Sequence, residues 1–148
     1  MVRKVAISAC LLGERCRYDG ADNYAPSLLN MLEGDELIPF CPEDAAFGSP
    51  RPAMDLIETQ RGVEALCNES GESRSEPIRR YAKAFFEQHG QIDLFIGKDR
   101  SPSCGVCSAR LYDKEKTLLS DTAAGLMAEE AIARNIPAVD AEKFEGNQ

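Results

Sequence analysis

The chain has 148 residues, of which 43% are hydrophobic and 28% are charged. This length fits one ordinary domain, and the composition is typical of a protein with an apolar core rather than of a fibrous or disordered one. We therefore expect a single domain over residues 1–148. No stretch approaches the ~20 apolar residues that a spanning helix needs, so we expect no membrane segment.

The chain carries 25 acidic and 17 basic side chains, which gives a net charge of -8. A negative protein repels a phosphate backbone, so a nucleic-acid polymer is not expected as a partner. Six cysteines are many for this length, and the first residues lack a long secretory apolar run. We expect the reducing cytoplasm, where clustered cysteines more often bind metal than form disulfides. The sequence leaves the oligomeric state open.

Two strands are predicted in the first third of the chain, and each ends just before a cysteine. The apolar run 5–9 predicts a buried strand followed by Cys10. A helix with leucines at helical spacing is predicted over 26–34, from a proline to a glycine. The run 36–40 predicts a second strand, at a sheet edge because it contains a proline, and Cys41 follows it directly.

The middle of the chain predicts a hairpin and a long helix. The runs 54–58 and 63–66 flank a short turn and are expected to pair. An apolar stripe then predicts a helix, with Ser75 as its cap and Gly90 as its stop.

The last third begins with the clearest buried strand, 93–97, and a loop that carries Cys104. A strand is expected at 109–112. Asp121 is the expected cap of a helix that runs to about residue 135, and a closing strand is predicted over 136–139.

This alternation of strands and helices predicts an α/β fold: a doubly wound, mainly parallel sheet flanked by helices, with the hairpin as a small insertion. Ligands bind in such sheets outside the carboxyl ends of the strands, so Cys10, Cys41 and Cys104 are expected to share one crevice. Three thiolates suit a cubane iron–sulfur cluster whose fourth iron lacks a protein ligand. Small buried side chains near strand ends are the structural alternative.

The other cysteines leave further functions open. Cys16 and Cys107 lie near Cys10 and Cys104 in sequence, and these four thiolates are candidates for a structural zinc site in a non-enzymatic binding module. A sulfur-carrier protein, with a persulfide on one cysteine, is a third possibility. Cys67 is expected to be a small packed side chain. With one histidine in the chain, an imidazole-rich metal site is impossible.

Several short strings follow one another in a recognisable order. They are Ser8-Ala9-Cys10-Leu11-Leu12-Gly13, Cys16-Arg17-Tyr18-Asp19-Gly20, Cys41-Pro42-Glu43, Pro50-Arg51-Pro52 and Ser101-Pro102-Ser103-Cys104-Gly105. Together these strings resemble the TudS-like thiouracil desulfurase family, and the resemblance covers nearly the whole chain.

The resemblance implies a cytoplasmic bacterial enzyme that removes sulfur from a thiolated pyrimidine, as a thiouracil-like base, nucleoside or nucleotide. It implies a [4Fe-4S] cluster held by Cys10, Cys41 and Cys104. The open iron is then expected to bind the thiocarbonyl sulfur while water attacks the carbon, without net electron transfer. Glu43 and Ser101 match the polar pair that the family implies for proton transfer.

The residues alone also allow structural roles for these groups. Glu43 follows a proline and is equally suited to the positive end of a helix. Ser101 precedes a proline, which is common in turns. Tyr18 and Asp19 are candidates for a wall of the substrate site, although Asp19 and its following glycine are also typical of a turn.

A cluster bound by three thiolates is negatively charged, so arginines beside it are expected as counter-charges and hydrogen-bond donors. Arg17, Arg51 and Arg100 lie in or beside the matching strings. Arg51 is the preferred cofactor-binding residue because prolines on both sides restrict its backbone.

Overall fold

The computed structural model of the protein describes residues 2–145. In that part of the chain the strands form two four-stranded sheets. The first sheet is parallel, with the order β2-β1-β5-β8, and consists of β1 (Lys4–Ser8), β2 (Glu36–Phe40), β5 (Leu94–Gly97) and β8 (Ala138–Asp140). The second sheet has the order β4-β3-β6-β7 and consists of β3 (Met54–Thr59), β4 (Gly62–Cys67), β6 (Ala109–Tyr112) and β7 (Leu118–Ala123).

Helices connect and cover these strands. They are α1 (Pro26–Met31), α2 (Pro42–Phe47), α3 (Ser75–Gln88) and α4 (Leu126–Ala133). The helices α1 and α2 each begin at a proline, whose missing N–H costs nothing in the first turn. Within residues 2–145, no helix combines the length and the apolar character needed to cross a membrane.

Both faces of the parallel sheet are buried. On one face Val5 and Ile7 of β1 pack with Leu28 of α1 in one apolar cluster. On the other face Ala6 and Phe95 pack into a second cluster against α3 and α4. Because side chains alternate along a strand, a strand covered on both sides is apolar throughout. This arrangement confirms the predicted α/β class with a doubly wound parallel sheet.

The predicted hairpin is also present, and further strands extend it. Strands β3 and β4 pair antiparallel over 54–59 and 62–67. Strand β3 then pairs in parallel with β6, which pairs antiparallel with β7 across two register shifts. The hairpin therefore forms half of the second sheet.

The prediction of a helix that begins at Asp121 is wrong. Asp121 lies within β7, whose backbone finds hydrogen-bond partners in β6, and this pairing overrides the local helix-cap signal. Helix α4 starts instead at Leu126, after Gly125. A Cβ at Gly125 would approach the backbone nitrogen of Cys104 to 2.7 Å, so only glycine lets α4 begin against that loop.

The long helix α3 occupies its predicted place, but both predicted end signals are wrong. Ser75 is the first helical residue, and its hydroxyl accepts the N–H of Ala65 at 2.9 Å instead of capping α3. Helix α3 ends at Gln88, and Gly90 does not adopt the left-handed backbone of a glycine stop.

Replacing Gly97 by alanine should destabilise the fold. Gly97 ends β5, and a Cβ there would overlap the carbonyl oxygen of Cys104. The backbone of residue 97 fixes the position of that Cβ, and the carbonyl is itself part of the backbone, so neither group can rotate away. We expect Gly97→Ala to lower the free energy of unfolding by about 2 kcal/mol or more, measured by urea denaturation. Gly90→Ala, where a Cβ meets nothing within 4 Å, is the matched control and should unfold near the wild-type midpoint. Equal midpoints for both variants would contradict this packing.

Candidate active site

Four cysteines line one cavity of about 420 Å³, and three of them, Cys10, Cys41 and Cys104, come from remote parts of the sequence. Cys10 lies in a short 3-10 turn directly after β1. Cys41 is the residue that caps α2 directly after β2, and Cys104 lies in the loop that follows β5. The cavity therefore opens at the carboxyl edge of the parallel sheet.

The strand order explains this meeting. Strand β1 lies between β2 and β5 and pairs in parallel with both. The chain leaves β1 towards β2 on one side and later continues through β5 and β8 on the other. A sheet with this order opens a crevice beside the central strand, which is where ligands bind in doubly wound folds.

The other predicted site residues divide into those that line the cavity and one that does not. Glu43, Arg51 and Ser101 line the cavity together with the three cysteines. The further lining residues from the sequence analysis are Arg17, Tyr18 and Arg100. Asp19 lies outside the cavity.

Two polar residues that the sequence predicted for the site, Asp19 and Arg100, bind partners outside the cavity. The Asp19 carboxylate accepts the N–H of Ala21 at 3.0 Å, so the turn interpretation of Asp19 is the one that the structure supports. The Arg100 side chain is 53% exposed and forms an ion pair with Glu142 at 3.1 Å. Arg100 therefore borders the cavity without being buried in it.

Burial raises the pKa of the Cys10, Cys41 and Cys104 thiols. Desolvation is the main cause, since a buried thiolate has lost its water shell. The Glu43 carboxylate raises the pKa of Cys104 further. Thiols that have lost hydration become thiolates when a positively charged metal group compensates for that loss.

Two hydrogen bonds to sulfur partly oppose this effect. The Asn23 side-chain amide donates to Sγ of Cys10 at 3.4 Å and lowers its pKa. The backbone N–H of Asp44 donates to Sγ of Cys41, also at 3.4 Å. Donors of this kind orient ligands in the shell around a metal centre. Asn23 could not be predicted as a site residue from sequence, because its position depends on how its loop folds back onto the turn that follows β1, where its backbone N–H donates to the carbonyl of Cys10 at 2.9 Å.

Glu43 forms part of a buried polar group. Its Oε1 faces the Arg51 guanidinium at 3.5 Å, and the Ser103 hydroxyl donates to its Oε2 at 2.8 Å. Burial raises the pKa of Glu43, while Arg51 and Ser103 act against that rise. The sequence strings contained both partners, but nothing in their spacing paired them with this carboxylate.

Hydrogen bonds hold the Arg51 guanidinium in place, but one of its N–H groups lacks an acceptor among the described residues. Its Nη1 donates to the carbonyl of Gly48 at 2.9 Å and to the hydroxyl of Ser49 at 2.6 Å. Its side chain is only 7% exposed, and within residues 2–145 its Nε is buried without a hydrogen-bond partner. Buried polar atoms are nearly always paired, so this N–H points to an acceptor that the protein itself does not supply.

The loop of Ser101 and Cys104 is fixed by its own hydrogen bonds. Oγ of Ser101 accepts the N–H of Ser103 at 3.2 Å and of Cys104 at 3.0 Å. Further along, the buried Asp140 carboxylate accepts the N–H groups of Val106 and Cys107 at 2.8 and 2.9 Å. These contacts give the cavity a rigid rim.

The structure does not form the four-thiolate zinc site of the alternative hypothesis. Cys16 lies in the cavity, where its carbonyl accepts the Cys41 thiol at 3.7 Å, but Cys107 is exposed outside it. Among residues 2–145, no three His, Cys, Asp or Glu side chains lie close enough to share one metal ion. Cys67 is buried at the end of β4, as expected for a packed side chain.

Comparisons with known proteins agree with this geometry. A family model described as 2-thiouracil desulfurase matches residues 5–143. The fold is similar to a solved structure of a [4Fe-4S]-dependent thiouracil desulfidase, TudS, with a TM-score of 0.75 and 26% sequence identity. That match covers 96% of this chain and 93% of the other. No curated protein matches the chain.

Thiol labelling of the metal-free protein should distinguish the exposed Cys107 from the buried Cys104. Cys107 is exposed, whereas Cys104 is buried and its pKa is raised, so iodoacetamide should modify Cys107 at least about tenfold faster. Peptide mass spectrometry measures the two rates. Urea-denatured protein is the control, because unfolding removes the difference. Equal rates in the folded protein would contradict the burial of Cys104.

Proposed function

The chain belongs to the 2-thiouracil desulfurase family, whose model spans residues 5–143, and from that premise we propose that it is a [4Fe-4S]-dependent desulfidase of thiolated pyrimidines. The observation that carries the proposal is the meeting of three remote thiols, those of Cys10, Cys41 and Cys104, in one cavity. The similar solved structure is itself described as a [4Fe-4S]-dependent desulfidase.

The residues present fit such a cluster better than a single ion. Thiolates on one zinc ion stand roughly 3.8 Å apart, as tetrahedral bonds of about 2.3 Å require. Within the described residues, no three His, Cys, Asp or Glu side chains form a group that could hold a single metal ion, although Cys10, Cys41 and Cys104 line the same cavity. A cubane core binds each cysteine through a different iron and so accepts a wider spacing.

The surrounding polar groups support the same assignment. The unpaired buried Nε–H of Arg51 suits a sulfur or thiolate acceptor, which makes Arg51 a cofactor-binding residue. Asn23 already donates to the sulfur of Cys10, which we assign as a cluster ligand. These donors stabilise negative charge on sulfur.

When bound, the cluster supplies a Lewis-acidic iron without a protein ligand, which polarises the thiocarbonyl group of the substrate. The protein supplies the proton transfers. Glu43 accepts a proton from the attacking water, and Ser101 relays protons at the cavity wall. A carbon–oxygen bond forms as the carbon–sulfur bond breaks, both protons of the water pass to the departing sulfide, and no electrons are exchanged with a co-reactant.

A small-molecule substrate fits the cavity. Its volume of about 420 Å³ lies within the usual range of small-ligand sites. Tyr18, which lines the cavity and is 45% exposed, offers a ring face against which a pyrimidine can stack. We propose a thiouracil-like base, nucleoside or nucleotide as substrate, since the net charge of -8 disfavours a nucleic-acid polymer.

The two sheets work together in this proposal. The ligand cysteines follow strands of the first sheet, whereas Arg51 directly precedes the second sheet at β3. We therefore treat the chain as a single catalytic domain. Within residues 2–145 the six cysteines are all free thiols, which suits a reducing cytoplasmic location.

Alanine variants of the ligand cysteines test the cofactor assignment. Protein prepared without oxygen should bind about four irons and four sulfides per chain. Cys10→Ala, Cys41→Ala and Cys104→Ala should each lose the cluster absorbance and sulfide release from 2-thiouracil. Cys107→Ala is the matched control and should keep both, because its thiol is exposed outside the cavity. Colourless wild-type protein with one zinc per chain, destabilised by Cys107→Ala, would instead support the zinc module.

Glu43→Gln separates proton transfer from cofactor binding. The variant keeps the size of the side chain and an acceptor for Ser103 and Arg51, but it cannot take up a proton at neutral pH. We expect wild-type iron and sulfide content with a loss of turnover of about 100-fold or more. Anaerobic sulfide-release kinetics measure the effect. Turnover at the wild-type rate would exclude Glu43 as the base.

A further inference from the structure

Ser103 differs from Ser101 in position and in bonding, although both belong to one short string. Ser103 is completely buried and does not line the cavity, whereas Ser101 does. The Ser103 hydroxyl donates to Oε2 of Glu43 at 2.8 Å. Oγ of Ser101 instead accepts two backbone N–H groups of its own loop. The two serines are therefore placed for different tasks.

The backbone of Ser103 is anchored independently of this contact. Its carbonyl accepts the N–H groups of Met127 at 2.8 Å and Ala128 at 3.2 Å, at the start of α4. Gly125 allows this approach, because a Cβ there would meet the carbonyl carbon of Ser103. Helix α4 thus fixes the point from which the hydroxyl reaches Glu43.

The Ser103 contact is the shorter of the two that hold the carboxylate. Arg51 stands 3.5 Å from Oε1, which is long for a charge-assisted hydrogen bond of about 2.7–2.9 Å. The Ser103 bond at 2.8 Å lies at the expected length for a hydroxyl donor. The direction of the carboxylate is therefore set mainly from the side of Ser103.

We infer that Ser103 is a positioning residue for desulfidation: its buried hydroxyl holds the Glu43 carboxylate in the orientation from which it takes a proton from the attacking water. The inference rests on the proposed role of Glu43. Ser103 keeps its own proton and forms no covalent bond, while the proton that leaves water goes to Glu43. The bond also ties the first turn of α2, which Cys41 caps, to the loop of Cys104.

Ser103→Ala tests this role in the cluster-loaded enzyme. Iron and sulfide content should equal that of wild type, KM for 2-thiouracil should stay within about twofold, and kcat should fall roughly 10- to 100-fold, as expected when a catalytic group loses its orientation. Ser75→Ala is the matched control. Ser75 is also buried and hydrogen-bonded, but its partner is Ala65 in the hairpin, so this variant should keep the wild-type kcat.

A double-mutant cycle distinguishes positioning from general loop damage. In Glu43→Asp the carboxylate is one methylene shorter and no longer reaches the Ser103 hydroxyl, although it can still accept a proton. Adding Ser103→Ala to Glu43→Asp should therefore change kcat by less than about twofold. An equal loss of kcat in both backgrounds would overturn the positioning role.

The remaining outcomes are also decisive. A wild-type kcat for Ser103→Ala, alongside a loss of turnover in Glu43→Gln, would overturn this inference alone. Full turnover in Glu43→Gln would instead remove the proposed base. If Ser103→Ala does not load the cluster, Ser103→Gly removes the same hydroxyl together with its Cβ, and failure of both to load would contradict a role limited to positioning.

Discussion

Parallel pairing of β1 with both β2 and β5 is the constraint on which the site depends. The register joins Ser8 to Phe40 and Ile7 to Ile96, so the three strands end at the same edge of the sheet. A slip of two residues would displace one strand end by about 6.6 Å and remove its cysteine from the cavity. A slip of one residue would move every side chain of β1 to the opposite face of the sheet. Core packing and the meeting of the thiols are therefore fixed by the same hydrogen bonds.

Burial gives these thiols their chemical character. Loss of hydration on burial disfavours thiolates and carboxylates, so each charged form needs a partner. For Glu43 the protein provides Arg51 and Ser103. For the thiols it provides single donors such as the amide of Asn23, which leaves most of the compensation to a metal group. The rigid rim, fixed in part by Asp140, keeps the sulfurs in place without distorting the sheet.

The parallel sheet and the cysteines at its edge could be predicted because short apolar runs indicate the strands and the cysteines follow these runs in sequence. The runs 5–9 and 36–40 end directly before a cysteine, and the run 93–97 ends seven residues before Cys104. Because ligands bind at the carboxyl edge of a parallel sheet, the three cysteines could be placed together. Strand β7 could not be predicted in this way. Its backbone is defined by pairing with β6, and the local sequence at Asp121 favours a helix start when read alone.

The polar partners of the site were harder to predict for the same reason. Glu43 and Ser103 are 60 residues apart in sequence, and only the folded sheet brings helix α2 and the loop of Cys104 together. The sequence string around Ser101 predicted Ser101 as the functional serine. The hydroxyl that donates to the Glu43 carboxylate belongs instead to Ser103, the second serine of that string. Asn23 carried no signal at all, because its contact with Cys10 depends on the path of a loop.

The most direct test of the account is an anaerobic crystal structure with anomalous scattering measured at the iron edge. We expect four iron peaks in one compact core, with three of them bonded to the sulfurs of Cys10, Cys41 and Cys104 and the fourth free of any protein ligand. Iron bound by Cys16 in place of one of these cysteines, or a single metal peak, would contradict it.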